Sequence, residues 1–164
     1  MIQENRSIIG IGMVMKRVLL SLTLFLALVG PTIAETKLTK QSIQSMLNKM
    51  TAAVNAKDAG KLLVHFTPDA KITLHVNGRK MVTTPKQYQG LLQQTWAAAE
   101  NYTYKVTGLK VELAADGKSA VVTDTTQESA TIGGQKMTSV NEETLTVKLV
   151  GGKPMVTSLE GRSK

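Results

Sequence analysis

Residues 58–76, with the sequence DAGKLLVHFTPDAKITLHV, change from helical to strand periodicity within a single segment. Three apolar side chains have the spacing of one face of a short helix, with Asp58 placed to cap it: Leu62, Leu63 and Phe66. Pro68 ends this helix because proline disfavours helical geometry at the preceding residue. Apolar and polar residues then alternate, which predicts a half-buried strand over 70–76.

The segments on either side predict two longer helices and a hairpin. Upstream, residues 36–58 carry apolar side chains at spacings of three and four, which is typical of an amphipathic helix. Asn77-Gly78 suits a two-residue hairpin turn, because both residues accept positive φ, and 79–82 is the expected return strand. Thr84-Pro85 opens a helix expected to reach about residue 100, since proline is tolerated in the first turn.

The rest of the chain predicts four long strands rich in Thr and Val. Glycine-containing turns separate them, and the expected strands are 102–113, 119–132, 135–150 and 153–160. Gly108 within the first of them predicts a bulge or a bend. Helices followed by hairpin-connected strands favour an α+β fold, in which about three N-terminal helices pack on one face of a curved antiparallel sheet.

This order of elements resembles the nuclear transport factor 2-like (NTF2-like) superfamily, which includes SnoaL-like and steroid-isomerase-like domains. The resemblance covers residues 38–162 and is carried by the first amphipathic helix and by the pattern Asp58-x-x-x-Leu62-x-x-x-Phe66-x-x-Asp69-Ala70. It implies a cone-shaped domain, with a cavity between the concave face of the sheet and the helices. It also implies a homodimer formed through the outer face of the sheet.

Acidic residues alternate with apolar ones on two of the expected strands. Asp124 and Glu128 share one strand face, and Asn141 and Glu143 share a face of the next strand. A carboxylate on an apolar face could project into a cavity, where desolvation would raise its pKa. Long meander strands often extend past the core, and the sequence favours this second interpretation, in which these side chains are solvated. Glu143 is the first candidate for a pocket carboxylate, with Asn141 as its polar companion.

The cavity that the resemblance implies would take its ligand contacts from these strands and from the helix over 84–100. The candidate ligand-binding residues are Asn141, Glu143, Asp124, Trp96 and Tyr88. Aromatic residues are few, with one Trp, three Tyr and two Phe, so aliphatic side chains must form most of the interior. A small hydrophobic or amphipathic molecule is the expected ligand.

Catalysis is an alternative, with Glu143 or Asp69 as a carboxylate base in an isomerase, hydratase or cyclase. The resemblance implies a tyrosine donor in the first helix, but that segment contains no tyrosine. Asp69 also fits the role of a turn residue after Thr67-Pro68. The sequence therefore favours a binding module over an enzyme, and a homodimeric interaction or accessory domain is a third hypothesis.

Neither a cofactor nor a metal site is predicted. His65 and His75 are the only histidines, no carboxylate cluster lies near them in the sequence, and there is no cysteine to supply a thiolate. The sequence contains no Gly-x-Ser-x-Gly nucleophile elbow, and its paired glycines fit hairpin turns better than phosphate-binding loops.

The N-terminal segment has the order of a secretory signal peptide. Lys16-Arg17 precedes an uncharged apolar run over 18–29, and Thr32-Ile33-Ala34 offers the small residues that a signal peptidase recognises. We expect a signal peptide over 1–34, a domain over 35–164 and a periplasmic or secreted product without a stable membrane anchor. Met13 or Met15 could be the true start, since both lie immediately before the basic pair.

The formal net charge of +8 does not by itself predict nucleic-acid binding. Residues 1–34 contribute a net charge of +2, which leaves +6 on the predicted domain. Basic residues are scattered along that domain, with at most two adjacent, at Arg79-Lys80. A nucleic-acid site needs basic residues gathered on one face with stacking aromatics, so no nucleic-acid partner is expected.

Overall fold

The computed structural model describes residues 36–164, and the predicted signal peptide, including Met13 and Met15, lies outside the described residues. The helices are α1 (Lys40–Asn55), α2 (Ala59–Leu63) and α3 (Pro85–Ala98). The strands are β1 (Phe66–Val76), β2 (Arg79–Thr83), β3 (Glu100–Leu113), β4 (Ser119–Ile132), β5 (Gln135–Val150) and β6 (Lys153–Ser163). The predicted α+β class is confirmed.

One curved, open sheet contains all six strands in the order β2-β1-β6-β5-β4-β3. Strands β3 to β6 form the predicted hairpin-connected antiparallel meander. β1 pairs with β6 in parallel, however, so the sheet is mixed and the expectation of a wholly antiparallel sheet was wrong in this respect. Local periodicity carries no signal for such a pairing, because it joins segments from opposite ends of the domain.

β1 begins at Phe66 and not at residue 70, where the alternation of side chains starts. Phe66 pairs with Val156, and the register shifts before Lys71. The shift spans Pro68, which has no N–H to give to the ladder and is tolerated in strands at such irregularities. The prediction interpreted this proline as the end of a helix, but it lies inside a bulged strand.

The first helix begins at a reciprocal cap. The Thr39 hydroxyl accepts the backbone N–H of Ser42 at 3.0 Å, and the Ser42 hydroxyl accepts that of Thr39 at 3.2 Å. Its apolar face is buried as predicted, through Ile43, Met46, Leu47, Met50 and Val54. At about 25 cal/mol per Å² of apolar surface, burial of this face is the main stabilisation of the helix.

Two backbone irregularities predicted from glycine are present. Asn77 and Gly78 have φ of 51° and 74°, as the hairpin turn between β1 and β2 requires. Gly108 has φ of 62° and lies within a register shift between β3 and β4, so the predicted bulge is confirmed. Among the described residues, no helix is both long enough and apolar enough to cross a membrane.

The aliphatic core lies between the helices and one face of the sheet. On that face β4 contributes Ala120 and Val122, and β5 contributes Leu145 and Val147, all almost fully buried. The next three residues of β4 on the same side are polar: Asp124, Thr126 and Glu128. The core therefore gives way to a polar region within single strands.

Candidate functional site: an acidic cavity

A cavity of about 120 Å³ opens where the aliphatic core ends. Its apolar wall comes from the helices and the sheet together: Leu47, Met50, Val54, Leu62, Phe66, Leu92, Val106, Leu109, Leu145 and Leu159. Besides Phe66, its aromatic residues are Tyr88, Trp96, Tyr102 and Tyr104, and its neutral polar residues are Gln44, Asn48, Thr51 and Thr95. An apolar cavity of about 150 Å³ is known to accommodate benzene, so this one is suited to a small molecule.

Three carboxyl groups also line this cavity: Asp124 and Glu128 from β4 and Glu143 from β5. Asp124 lies directly opposite Glu143 in the antiparallel register, and the period of two in a strand brings Glu128 to the same face. Asp124 is only 7% exposed, and the other two are partly buried. The favoured interpretation that these side chains are solvated was therefore wrong, because the strands do not overrun the helices at this position.

Burial sets the electrostatics of the carboxyl pair. Desolvation raises the pKa of Asp124 from 3.8 to about 6. Desolvation, with repulsion by Asp124 and Glu128, raises the pKa of Glu143 from 4.5 to about 8. Burial also raises the pKa of Glu128, against a hydrogen-bonding contribution from Tyr102. At neutral pH the pair of Asp124 and Glu143 therefore holds about one proton between its two carboxyl groups.

Two tyrosines of β3 face these acids and were not among the predicted site residues. The Tyr104 hydroxyl donates to Glu143 Oε2 at 3.4 Å, and Tyr104 lies opposite Glu128 in the register. Burial, followed by repulsion from the nearby carboxylates, raises the pKa of Tyr102 and of Tyr104 well above the ordinary value. Their i, i+2 spacing was the available signal, since it places both rings on one face of a strand.

One carboxylate oxygen in the cavity lacks a partner. Asp124 Oδ1 is buried and accepts no hydrogen bond from any described residue. An unsatisfied buried acceptor costs about 1–3 kcal/mol, and more when it is charged. An N–H or O–H group of a ligand in the cavity would supply the hydrogen bond that this atom lacks.

Trp96 forms part of the aromatic wall and is 5% exposed. Its ring packs edge-on against Tyr102, with centroids 6.1 Å apart. The ammonium group of Lys57 donates to the Trp96 carbonyl at 3.3 Å and also to the Ala99 carbonyl. A cation at a helix C-terminus complements the helix dipole, so Lys57 holds the end of α3 that carries Trp96.

The five candidate ligand-binding residues lie close to one another. Trp96, Tyr88, Asp124 and Glu143 line the cavity. Asn141 does not line it, but its amide donates to Glu128 Oε1 at 3.3 Å. It therefore positions one of the cavity acids, as a polar companion of Glu128 and not of Glu143.

The remaining candidates lie elsewhere. Asp69 is exposed in the β1 irregularity and does not line the cavity, which corrects its assignment as a candidate base. His75 contacts Glu160 at 2.9 Å between β1 and β6, outside the cavity. His65 is partly buried, and desolvation lowers its pKa. Within residues 36–164, no group of three or more His, Cys, Asp or Glu side chains is arranged to hold a metal ion.

A curved sheet with helices packed against it, enclosing a cavity, defines the NTF2-like fold, which the chain has. Solved structures share it. Hexachlorocyclohexane dehydrochlorinase LinA-type3 from Novosphingobium barchaimii LL02 has a TM-score of 0.65 and 17% identity, over 76% of this chain and 85% of that one. A scytalone dehydratase-like protein from Novosphingobium aromaticivorans has a TM-score of 0.64 and 13% identity, over 76% of this chain and 83% of that one.

A protein of unknown function from Mycobacterium tuberculosis is similar as well, with a TM-score of 0.63 and 13% identity over 76% of this chain and 70% of that one. No protein-family model and no curated protein matches the sequence. At these identities the likeness establishes the fold alone. The same fold occurs in enzymes and in proteins of unknown function, so the chemistry must be argued from the cavity of this chain.

Proposed function

We propose that this protein binds a small molecule in the acidic cavity. The observation that carries the proposal is a cavity of about 120 Å³ with an aliphatic and aromatic wall and a few carboxyl and hydroxyl groups. Apolar walls with a few fixed polar groups are the usual composition of ligand sites. The unpartnered Asp124 oxygen adds a point at which a ligand donor would gain a hydrogen bond.

Fluorescence tests this proposal directly, because Trp96 is the only tryptophan in the chain and lines the cavity. Titration with benzyl alcohol, a probe of about the expected size, should change its emission saturably. Val106→Phe narrows the cavity and should abolish the response. The matched control Val121→Phe changes an exposed residue outside the cavity wall and should leave the response intact. A non-saturable response, equal in both variants, would contradict ligand binding.

We propose that the domain acts outside the cytoplasm, after cleavage behind Ala34. The supporting feature is the basic pair, apolar run and small-residue sequence of the N-terminal segment. The described residues, 36–164, all follow this cleavage site. Leu38 N–H already donates to the Gly117 carbonyl, and Lys118 donates to the Thr36 carbonyl, both at 2.7 Å.

Intact-mass analysis of the protein expressed with its N-terminal segment tests export. The mature species should begin at Glu35, and Ala34→Phe should block processing because the peptidase requires a small residue there. Ala34→Ser keeps that residue small and serves as the control. A cytoplasmic, unprocessed protein would contradict the proposal.

A second function, proton-transfer catalysis, is favoured by the unlike pKa values of Asp124 and Glu143. An ionised carboxylate beside a protonated one supplies a base and an acid in one apolar cavity. Asp124 would remove a proton next to a carbonyl, while Glu143 and Tyr104 would donate to the carbonyl oxygen.

Deuterium exchange at the α-carbon of a small ketone such as cyclohexanone, followed by NMR, tests this function. Acceleration that falls by about 10²-fold or more in Asp124→Asn would support general-base catalysis. Exchange at the rate in buffer would contradict the catalytic function and leave ligand binding intact.

A further inference from the structure

Among the described residues that line the cavity, all those that can carry a charge at neutral pH are acidic. Asp124, Glu128 and Glu143 line it, and none of the described lining residues is Lys, Arg or His. The chain as a whole has a formal net charge of +8, so this sign is opposite to that of the protein. An anionic ligand would meet uncompensated repulsion in a desolvated site, whereas a cation would meet its counter-charge there.

A second observation, the unpartnered oxygen of Asp124, does not depend on the sign of the charges that line the cavity. Asp124 is 7% exposed, lines the cavity, and its Oδ1 has no hydrogen-bond partner among the described residues. Buried acceptors in folded proteins are nearly always satisfied, so an exception at a cavity wall points to a donor supplied from the cavity. An ammonium group offers several donors together with the charge that a carboxylate requires.

The aromatic and aliphatic residues of the cavity favour an organic cation over a metal ion. Five aromatic rings line the space, and rings of this type attract organic cations through their faces: Phe66, Tyr88, Trp96, Tyr102 and Tyr104. Hard metal ions need several converging oxygen ligands, and no group of three or more Asp, Glu, His or Cys side chains among residues 36–164 is arranged to hold one. The aliphatic wall adds apolar contact for the hydrocarbon part of a ligand.

We propose that the ligand of this cavity is a small organic ammonium ion, whose N–H groups bind Asp124 and Glu143 while its hydrocarbon part packs against Trp96 and the aliphatic wall. This inference rests on the proposed function, since it names the class of the ligand. The cavity volume limits the hydrocarbon part of that ligand to about the size of one benzene ring.

The titratable groups around the site determine how affinity depends on pH. They are the three carboxyls of β4 and β5, the tyrosines of β3, and Tyr88 of α3, whereas α1 contributes only neutral polar and apolar side chains. Burial and the nearby carboxylates raise the pKa of each tyrosine, so none ionises between pH 5 and 8. Because Asp124 and Glu143 ionise over this range, affinity for an ammonium ion should rise with pH.

Three probes of one shape test the inference, namely benzylammonium, benzyl alcohol and benzoate. Trp96 fluorescence at pH 7.5 and low salt should give benzylammonium an affinity at least about tenfold higher than that of benzyl alcohol. Benzoate should be the weakest of the three. Calorimetry in two buffers should detect proton release on binding of benzylammonium alone, because the cation promotes ionisation of Glu143.

Charge-neutralising variants show whether the preference comes from the cavity. Asp124→Asn and Glu143→Gln should each reduce benzylammonium affinity about tenfold, a larger loss than either variant causes for neutral benzyl alcohol. Glu142→Gln removes the same charge from an exposed neighbour that contacts Lys164, and it should have little effect. Equal losses in Glu142→Gln and Glu143→Gln would assign the preference to general surface charge and overturn the inference.

The outcomes separate this inference from the proposed function. If benzyl alcohol and benzoate bind as tightly as benzylammonium, and Val106→Phe abolishes all three responses, the cavity binds ligands but the ammonium class is wrong. If no probe gives a saturable response, the proposed function itself fails.

Discussion

Asp124 is the residue at which stability and function are expected to oppose each other. Its carboxylate is buried, and desolvation raises its pKa to about 6, so the folded state is penalised whenever the group is ionised. Such residues are common in binding sites, where a ligand compensates a polar group that the protein leaves unsatisfied.

Asp124→Asn should therefore stabilise the protein without ligand by about 1–2 kcal/mol, less than the full pKa shift implies, because the amide must still be desolvated. Urea unfolding at pH 8 measures this change. Glu142→Gln, at an exposed site, should stay within about 0.5 kcal/mol of the parent protein. A destabilised Asp124→Asn variant would show that the carboxylate has a partner essential for folding.

The Tyr104 hydroxyl acts on Glu143 in the opposite direction to burial, because its hydrogen bond lowers the pKa of that carboxyl. Tyr104→Phe should raise the Glu143 pKa further, by about half a unit to one unit. Carboxyl-carbon NMR titration measures the shift. An unchanged pKa would mean that the 3.4 Å contact contributes no hydrogen bond in solution.

At the scale of elements, the sequence predicted what depends on local periodicity. The three helices and the meander β3–β6 follow from apolar spacing and glycine turns, and their bounds agree within a few residues. The parallel pairing of β1 with β6 was missed because it depends on contacts between distant segments. The start of β1 at Phe66, ahead of the predicted start at residue 70, was missed because proline in a bulge and proline after a helix give the same local signal.

The site was predictable only in part, because local periodicity gives the face of a strand on which a side chain lies but not what covers that face. Alternation placed Asp124 and Glu143 on cavity-facing strand positions, but it could not determine whether helices cover those positions. Tyr104 was overlooked because a tyrosine was sought only in the first helix, whereas the tyrosine that donates to Glu143 lies in β3. Asp69 was proposed because of its position beside the first strand, but that position is exposed.

Lys57 connects two elements through its contacts with the α3 carbonyls and should contribute to stability. Lys57→Met keeps the length of the side chain but loses the ammonium group, with an expected cost of about 0.5–1 kcal/mol. Thermal or urea unfolding measures this cost, with Lys105→Met, on an exposed position of β3, as the control. Equal effects of the two variants would show that the interaction of Lys57 with the end of α3 does not stabilise the protein.

At the scale of the whole molecule, stability should fall as pH rises from 5 to 8. In the folded protein the pKa values of Asp124 and Glu143 are about 6 and about 8, above the unfolded values of 3.8 and 4.5. The folded state therefore binds more protons than the unfolded state across this range, and the free energy of unfolding decreases with pH. These pKa values correspond to an expected loss on the order of 5 kcal/mol, of which Glu143 contributes the larger part.

Titratable groups outside the cavity also make stability depend on pH, and their contribution must be distinguished from that of Asp124 and Glu143. Asp58, Glu112 and Glu160 have lowered pKa values because of hydrogen bonds and nearby cations, and they titrate below this range. His65, whose pKa is lowered by burial, acts with the opposite sign as the pH falls through its unfolded pKa near 6.5. The double variant Asp124→Asn, Glu143→Gln keeps all four groups, so its flatter pH profile isolates the cavity acids. A profile as steep as that of the parent protein would assign the dependence to other residues.

Homodimer formation through the outer sheet face stays a prediction. Val121 and Val140 are exposed, and the strands around them are rich in Thr and charged residues. If this face forms the interface, Val121→Lys should lower the apparent mass measured by light scattering at high protein concentration. A parent protein that is monomeric at high concentration would contradict the prediction.

The central claim is that a cavity desolvates a pair of carboxyl groups and presents them to a ligand. Carboxyl-carbon NMR titration of the parent protein, with and without benzylammonium, tests it most directly. Without the amine, Asp124 should titrate near pH 6 and Glu143 near pH 8, and the amine should lower both values. Titration of both groups near pH 4, unchanged by the amine, would mean that they are solvated and would contradict the account.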